Sequence, residues 1–559
     1  MRASRGARSL GRAALAGLVV GSTVIGAAWA GVVGAPTQDP VAGVVEGLAG
    51  DTDPPLVDPT QSAPAGAGQP GAAAASLPAP DGLRVGAAKT SIAPDPAAHG
   101  GAWETDPMAC RTLDPGYLQQ LGVAPGEASH LAHTGTPWPE NPDCIYQGGF
   151  GIGPMNPVSA FDEELGLWVR SLAVGDGRDT FVLTVVDGVG WLWDYASKCD
   201  DCGAKQLGES LGAELGIDPA GIVIAATHSH AAPDFMGGWG YVPDWYMAQV
   251  TETIRSTVRE AVGAMEPAVI EVGEVEARPF NRERRDTYRS AETQHAQWLR
   301  AYVPGQPGKG KKPGAPPRVI ATLGAYAAHP VSKGGNGGVA HPDWPGAFER
   351  ALEDRFGGVG LHFMTGLGNM SPAGDTGPGL AARIPPIGSG RTVTDGDVWM
   401  ARATWDQPVT NVPLTALGLP GFFDRRFEPK PASLSVGKSE TAPCTSASPV
   451  SVEVAAAMLR IGDDLAITTG PGELFSNLTN TIVEKSPAAV TMPLAQANDA
   501  LGYLPQSFEL DPVGQQGLGF VAGGYLIVNY EDSYAIDRCF GDAVLERTLG
   551  LLAAPRPGP

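Results

Sequence analysis

Residues 221–230 read GIVIAATHSH, an apolar and partly β-branched run that ends on two histidines two positions apart. It has the length and composition of a buried strand, and three more runs of the same kind follow: RVIATLGAYAAHP (318–330), GLHFMTGLGNMSP (360–372) and LAITTGPGEL (465–474). Each ends at a residue able to do chemistry, next to Gly, Pro or small polar residues, which is where sites gather when strands of an α/β sheet give way to loops. Helical periodicity fills the intervals. Residues 243–265 place Met247, Val250, Ile254, Val258 and Ala261 at spacings of three and four, and PGAFERALEDRF opens at Pro345 with Phe348, Leu352 and Phe356 on one face. The expected fold is a mixed α/β body.

Outward from these runs, the folded domain is expected over residues 83–555, closing with the apolar helix AVLERTLGLLAA. Residues 31–82 are rich in Ala, Pro and Gly, a composition that buries too little apolar surface to offset ordering entropy, and read as a disordered linker. Residues 1–30 carry Arg2, Arg5, Arg8 and Arg12 before an apolar run and Ala28-Trp29-Ala30, the pattern of a signal peptide or an uncleaved signal anchor. Export to a secreted or cell-surface location follows. It lets the six cysteines form up to three disulfides, with Cys199 and Cys202 read as a small disulfide loop in preference to a metal or redox motif. The stretch 305–317 reads as a solvated loop, and 376–445, poor in periodic segments, as covering loops or a lid. The excess of 60 acidic over 38 basic residues, a formal charge of −22, repels a phosphate backbone and excludes nucleic acid as a partner.

His228 and His230 are read at a strand end, where side chains two apart leave from the same face and so share one small volume. A neutral imidazole is a good zinc ligand, although an H-x-H pair alone reads equally as a hydrogen-bonded structural pair. His329 ends the second run and Glu473 follows the turn Gly470-Pro471-Gly472. Two imidazoles and a carboxylate leave an open zinc position for water. Taken singly, His329 reads as a core histidine and Glu473 as a charge at a helix start.

Taken in order, these segments resemble the neutral, non-lysosomal ceramidases. ATHSHAAPD is similar to the family's THTH-x-x-P segment, AAHPV to its His-Pro segment, GNMSPAGD to GDVSPN, and PGELF to PGE(F/L). The opening VGAAKTSIAP and the later NDALGYLPQ resemble two further family segments, so the resemblance spans nearly the whole folded part. It implies a mixed-sheet multilayer sandwich of the family's catalytic-domain type, without the C-terminal β-sandwich domain. One Zn2+ per chain is then held by His228, His329, Glu473 and Tyr503, while His230, Arg282 in FNRERR and Tyr530 in NYED line the pocket. Ser371 falls where the family's serine is often assigned as nucleophile. A hydroxyl that hydrogen-bonds substrate is the favoured reading of it, because zinc-activated water already supplies a nucleophile. The implied reaction is hydrolysis of the N-acyl amide of a ceramide-like lipid, with association at a membrane surface. A different amide or ester on the same scaffold, or a binding protein without turnover, are the alternatives. The chain departs from the family pattern at Ala231-Ala232-Pro233-Asp234 and at Gly368-Asn369, both close to the expected substrate position.

Overall fold

The computed structural model describes residues 82–110, 143–149, 156–510 apart from 197, 239, 286–292, 307–313, 334–335, 420–423 and 439–442, and residues 530–556. All of them belong to one compact unit, built from three sheets that repeat one plan. The segments read as signal (1–30) and linker (31–82) lie outside the described residues up to position 81.

The first sheet holds β1 (Arg84–Ser91), β2 (Trp168–Gly175), β3 (Thr180–Val186) and β4 (Ile222–Ala226) in the order β4-β3-β2-β1, with a short strand Glu266–Pro267 beyond β1. Neighbours are antiparallel except β3 and β4, which run parallel with Val186 opposite Ala226. A parallel neighbour needs a long crossover, here through α1 (Ala204–Leu215), which ends on Gly216 in the left-handed conformation. On the same sheet lies α2 (Asp244–Gly263), burying all five residues that the periodicity picked out.

The second sheet repeats this with β5 (Val269–Glu276), β6 (His295–Val303), β7 (Arg318–Tyr326) and β8 (Val359–Met364). Only β7 and β8 are parallel, and α3 (Asp343–Phe356) makes the crossover. The third sheet, β9 (Val398–Pro408), β10 (Ser451–Ile461), β11 (Leu465–Thr469) and β12 (Val490–Leu494), again has a single parallel pair, β11 with β12, joined through α4 (Ser476–Lys485). A last helix, α5 (Phe540–Ala553), packs against this sheet.

One apolar core joins all three sheets: Val85, Leu183 and Val223 meet Val272, Leu323 and Phe363, and these meet Leu459, Ile467 and Met492. Burial on this scale, about 1.5–3 kcal/mol for each large side chain, fixes the sheets face to face. The helices cover the outer faces, Leu207, Val250 and Ile254 over the first sheet, and Phe348, Leu478 and Phe540 over the others. This is the expected mixed α/β multilayer. The carboxyl ends of the three parallel pairs are also bonded together. Ala226 N donates to Gln496 O at 3.1 Å, Asn498 N to Ile224 O at 2.7 Å, and Ala495 N to Met364 O at 2.8 Å.

Three expectations change in detail. The strand read as running to His230 stops at Ala226, and His228 lies beyond it with a positive φ of 59°. The alternation of strand side chains is therefore not what brings the two histidines together. The helix read from Pro345 starts two residues earlier, with Pro345 in its first turn, where the missing N–H costs nothing. The region 376–445 is more than loops: it holds the helix Pro378–Arg383, the eleven-residue β9, and the start of a hairpin pairing Ala432–Lys438 with Pro443–Ser448. The six cysteines form Cys110–Cys144, Cys199–Cys202 and Cys444–Cys539. Among the described residues no helix is long and apolar enough to cross a membrane.

Candidate metal centre

Each of the three parallel strand pairs delivers one of the converging side chains just past its carboxyl end: His228 after β4, His329 after β7, and Glu473 after β11. All three are almost wholly buried, with side-chain exposures of 2%, 1% and 5%. His228 Nδ1 lies 2.6 Å from Val189 O, and His329 Nδ1 lies 2.8 Å from Leu367 O. A carbonyl oxygen only accepts, so in both rings Nδ1 carries the hydrogen and Nε2 presents a lone pair. The two bare nitrogens point at one oxygen. His329 Nε2 is 3.0 Å and His228 Nε2 3.6 Å from Glu473 Oε2, and His230 Nε2 is 3.4 Å from His228 Nε2.

The charge states suit a cation. Burial, and then the positive Arg284, hold the His329 pKa down to about 4, so its ring is neutral at physiological pH. Burial, with the neighbouring His228, His329 and Arg284, also pushes His230 well below its ordinary range. Burial alone would raise the Glu473 carboxyl, but the two imidazoles beside it, His228 first and then His329, outweigh burial and hold the group well below the usual carboxylate range. The site thus presents the neutral His329 and His230 rings and the ionised Glu473 carboxylate to one small volume. The buried His329 Nε2 and Glu473 Oε2 have no hydrogen-bond partner. Four-coordinate zinc, with bonds of about 2.0–2.1 Å, sets neighbouring ligand atoms about 3.3–3.4 Å apart. The separations of 3.0 and 3.6 Å from Glu473 Oε2 to His329 and His228 bracket that value, and the ring nitrogens of His228, His230 and His329 all lie within 4.8 Å of one another. The residues present fit a zinc ion.

Tyr503 joins this group through the backbone. The short strands Glu473–Leu474 and Tyr503–Leu504 are paired in parallel with Glu473 opposite Tyr503, and the Tyr503 ring lies 6.1 Å from that of His329. Arg284 donates to the Tyr503 hydroxyl at 3.1 Å and to Gly368 O at 2.8 Å, and is paired with Glu531 at 2.8 Å. Arg284 is therefore the arginine at the histidines. Arg282 is exposed, its backbone paired with Ser371 in the ladder between Asn281–Glu283 and Met370–Pro372. Ser371 is half-buried beside Met370, whose carbonyl accepts from His329 N at 2.9 Å. Among the described residues no side chain hydrogen-bonds to the Ser371 hydroxyl. Tyr530 opens the turn Tyr530–Tyr534, and its side chain lies outside the described residues.

Several contributors have no signature in the sequence. The carbonyls of Val189 and Leu367, which set the tautomers, are backbone groups. Gly149, with φ 86°, packs so tightly on His230 that a Cβ there would lie 2.2 Å from Cγ of the ring. Arg284 is one of three arginines in FNRERR, and only its fold position separates it from Arg282.

The sequence matches no protein-family model and no curated protein. Two solved structures are similar in fold. Neutral ceramidase from Pseudomonas aeruginosa aligns over 85% of this chain and 74% of its own, at 13% identity and a TM-score of 0.55. A ceramidase complexed with C2 aligns over 85% and 75%, at 13% identity and a TM-score of 0.53. The chain has the neutral ceramidase fold.

Proposed function

We propose that this chain is an exported, zinc-dependent amidohydrolase that cleaves the N-acyl amide bond of a ceramide-like lipid. The observation that carries the reading is the meeting, in one buried volume, of bare His228 and His329 nitrogens with the Glu473 carboxylate on a ceramidase fold. His228, His329, Glu473 and Tyr503 would hold the zinc. Bound there, the ion supplies Lewis acidity to the amide carbonyl and makes water a usable nucleophile near neutral pH. His230, held neutral beside His228, is suited to take a proton from that water and return it to the leaving amine. Arg284 keeps the Tyr503 hydroxyl fixed at the rim of the cluster. Tyr530 and the Ser371 hydroxyl are proposed as polar contacts to the substrate, each well-placed donor to a developing oxyanion being worth a few kcal/mol. Three disulfides fit an oxidising compartment, and a substrate dissolved in a bilayer puts the working enzyme at a membrane surface.

The test combines metal analysis with fatty-acid release from a panel of N-acyl amines and matched esters. The expected result is one zinc per chain, amide turnover, and loss of both in a folded His228→Ala variant. Equal zinc in variant and parent refutes the ligand assignment. Turnover of esters alone moves the reading to an esterase on the same scaffold, and a folded protein without zinc moves it to a binding protein.

A further inference from the structure

Asp343 opens α3 with φ 57°, in the left-handed region that a non-glycine residue rarely adopts, and it is 1% exposed. Its carboxylate accepts from Lys333 N at 2.7 Å, from Trp344 N at 2.6 Å and from Ser332 N, while its own N–H donates to His341 Nδ1 at 2.8 Å. It draws together the two ends of the loop that follows His329. That loop is in turn fastened to the loop carrying the other histidines. His230 N donates to Pro330 O at 3.1 Å, His341 N to Ala231 O at 2.9 Å, and the Ser229 hydroxyl to His341 O at 2.7 Å. The Trp344 indole donates to His329 O at 3.3 Å. The loop that carries His228 and His230 and the residues around His329 are therefore joined through the loop that the Asp343 carboxylate closes.

We propose that Asp343 is a positioning residue of the metal centre, setting the spacing of the histidine-bearing loops; this rests on the zinc reading above. Only a carboxylate has two anionic oxygens to receive three N–H groups, and an amide has one. A bland role is also available, since an acid in the first turn of a helix favours its dipole, and a left-handed residue shapes the backbone. Asparagine and glycine both tolerate that backbone, so a role confined to shape leaves Asp343→Asn and Asp343→Gly at parental values.

The experiment measures zinc affinity by chelator competition, and the visible spectrum of the Co2+-loaded protein, in parent, Asp343→Asn and Asp343→Gly. The expected outcome is far-ultraviolet dichroism like the parent, zinc binding about 10- to 100-fold weaker, and an altered Co2+ spectrum. Parental affinity and spectrum in a folded Asp343→Asn overturn the proposal. Should that variant fail to fold, Ser229→Ala, which cuts the bond to His341 O from the other loop, is read in its place, and parental affinity there overturns it equally. A parent that binds no zinc at all overturns the metal reading itself, before any variant is compared.

Discussion

A histidine serves a metal only if the correct nitrogen is bare, and here two backbone carbonyls make that choice for His228 and His329. Arg284 adds a fixed positive charge that favours the neutral ring of His329 and holds the Tyr503 hydroxyl. Arg284→Ala should lower turnover at least about tenfold, the usual cost of removing a group that orders a catalytic contact. Arg282→Ala, at an exposed position, should leave it near the parental rate; equal losses in the two variants would return Arg282 to the site. Gly149→Ala forces a Cβ into the His230 ring from a backbone that disfavours side chains. It should cost about 1–3 kcal/mol of stability and slow turnover, and a parental denaturation midpoint would remove the close packing from the account. His228, His329 and Glu473 were legible because His and Glu at the ends of apolar runs are conspicuous. Arg284, Gly149 and the two carbonyls were not, since their roles come from contacts that only the folded backbone creates.

At the scale of elements, legibility followed periodicity. In α2 the buried positions recur every three to four residues, and the whole helix was readable. β9 is eleven residues long yet its burial does not alternate, so nothing in residues 398–408 marked a strand. The H-x-H segment teaches a related lesson: the two imidazoles do meet, but through a positive-φ residue beyond the strand end and not through strand alternation. The Cys444–Cys539 disulfide joins the hairpin Ala432–Ser448 to the start of α5 across a separation of 95 residues. Replacing both cysteines by serine should lower unfolding stability by about 2–4 kcal/mol, read from the denaturant midpoint of the non-reduced protein. An unchanged midpoint would show that packing alone seats α5.

For the whole molecule, the centre makes stability depend on both proton and metal. In the metal-free protein burial holds the His329 pKa down to about 4, against about 6.5 for a free imidazole, so between those values the unfolded chain binds the extra proton more readily. That contribution is complete above about pH 6.5 and is lost as pH falls toward 4, at most about 3 kcal/mol for a shift of this size. Glu473, with its pKa depressed, loses its contribution on further acidification, in the same direction. The melting temperature of the metal-free protein should thus fall steadily from pH 6.5 to 4. Zinc at a thousand times its dissociation constant should stabilise the neutral protein by about 4 kcal/mol, and a melting temperature indifferent to zinc would speak against a site spanning the fold.

His228, His329 and Glu473 follow strands of three different sheets, and none of those sheets alone brings more than one of the three to the cluster. On the zinc reading, capture of the ion would be a late event in biogenesis, open only to a chain in which the three blocks have docked. Refolding followed over a range of zinc concentrations should keep its early phases unaltered and change only in the last.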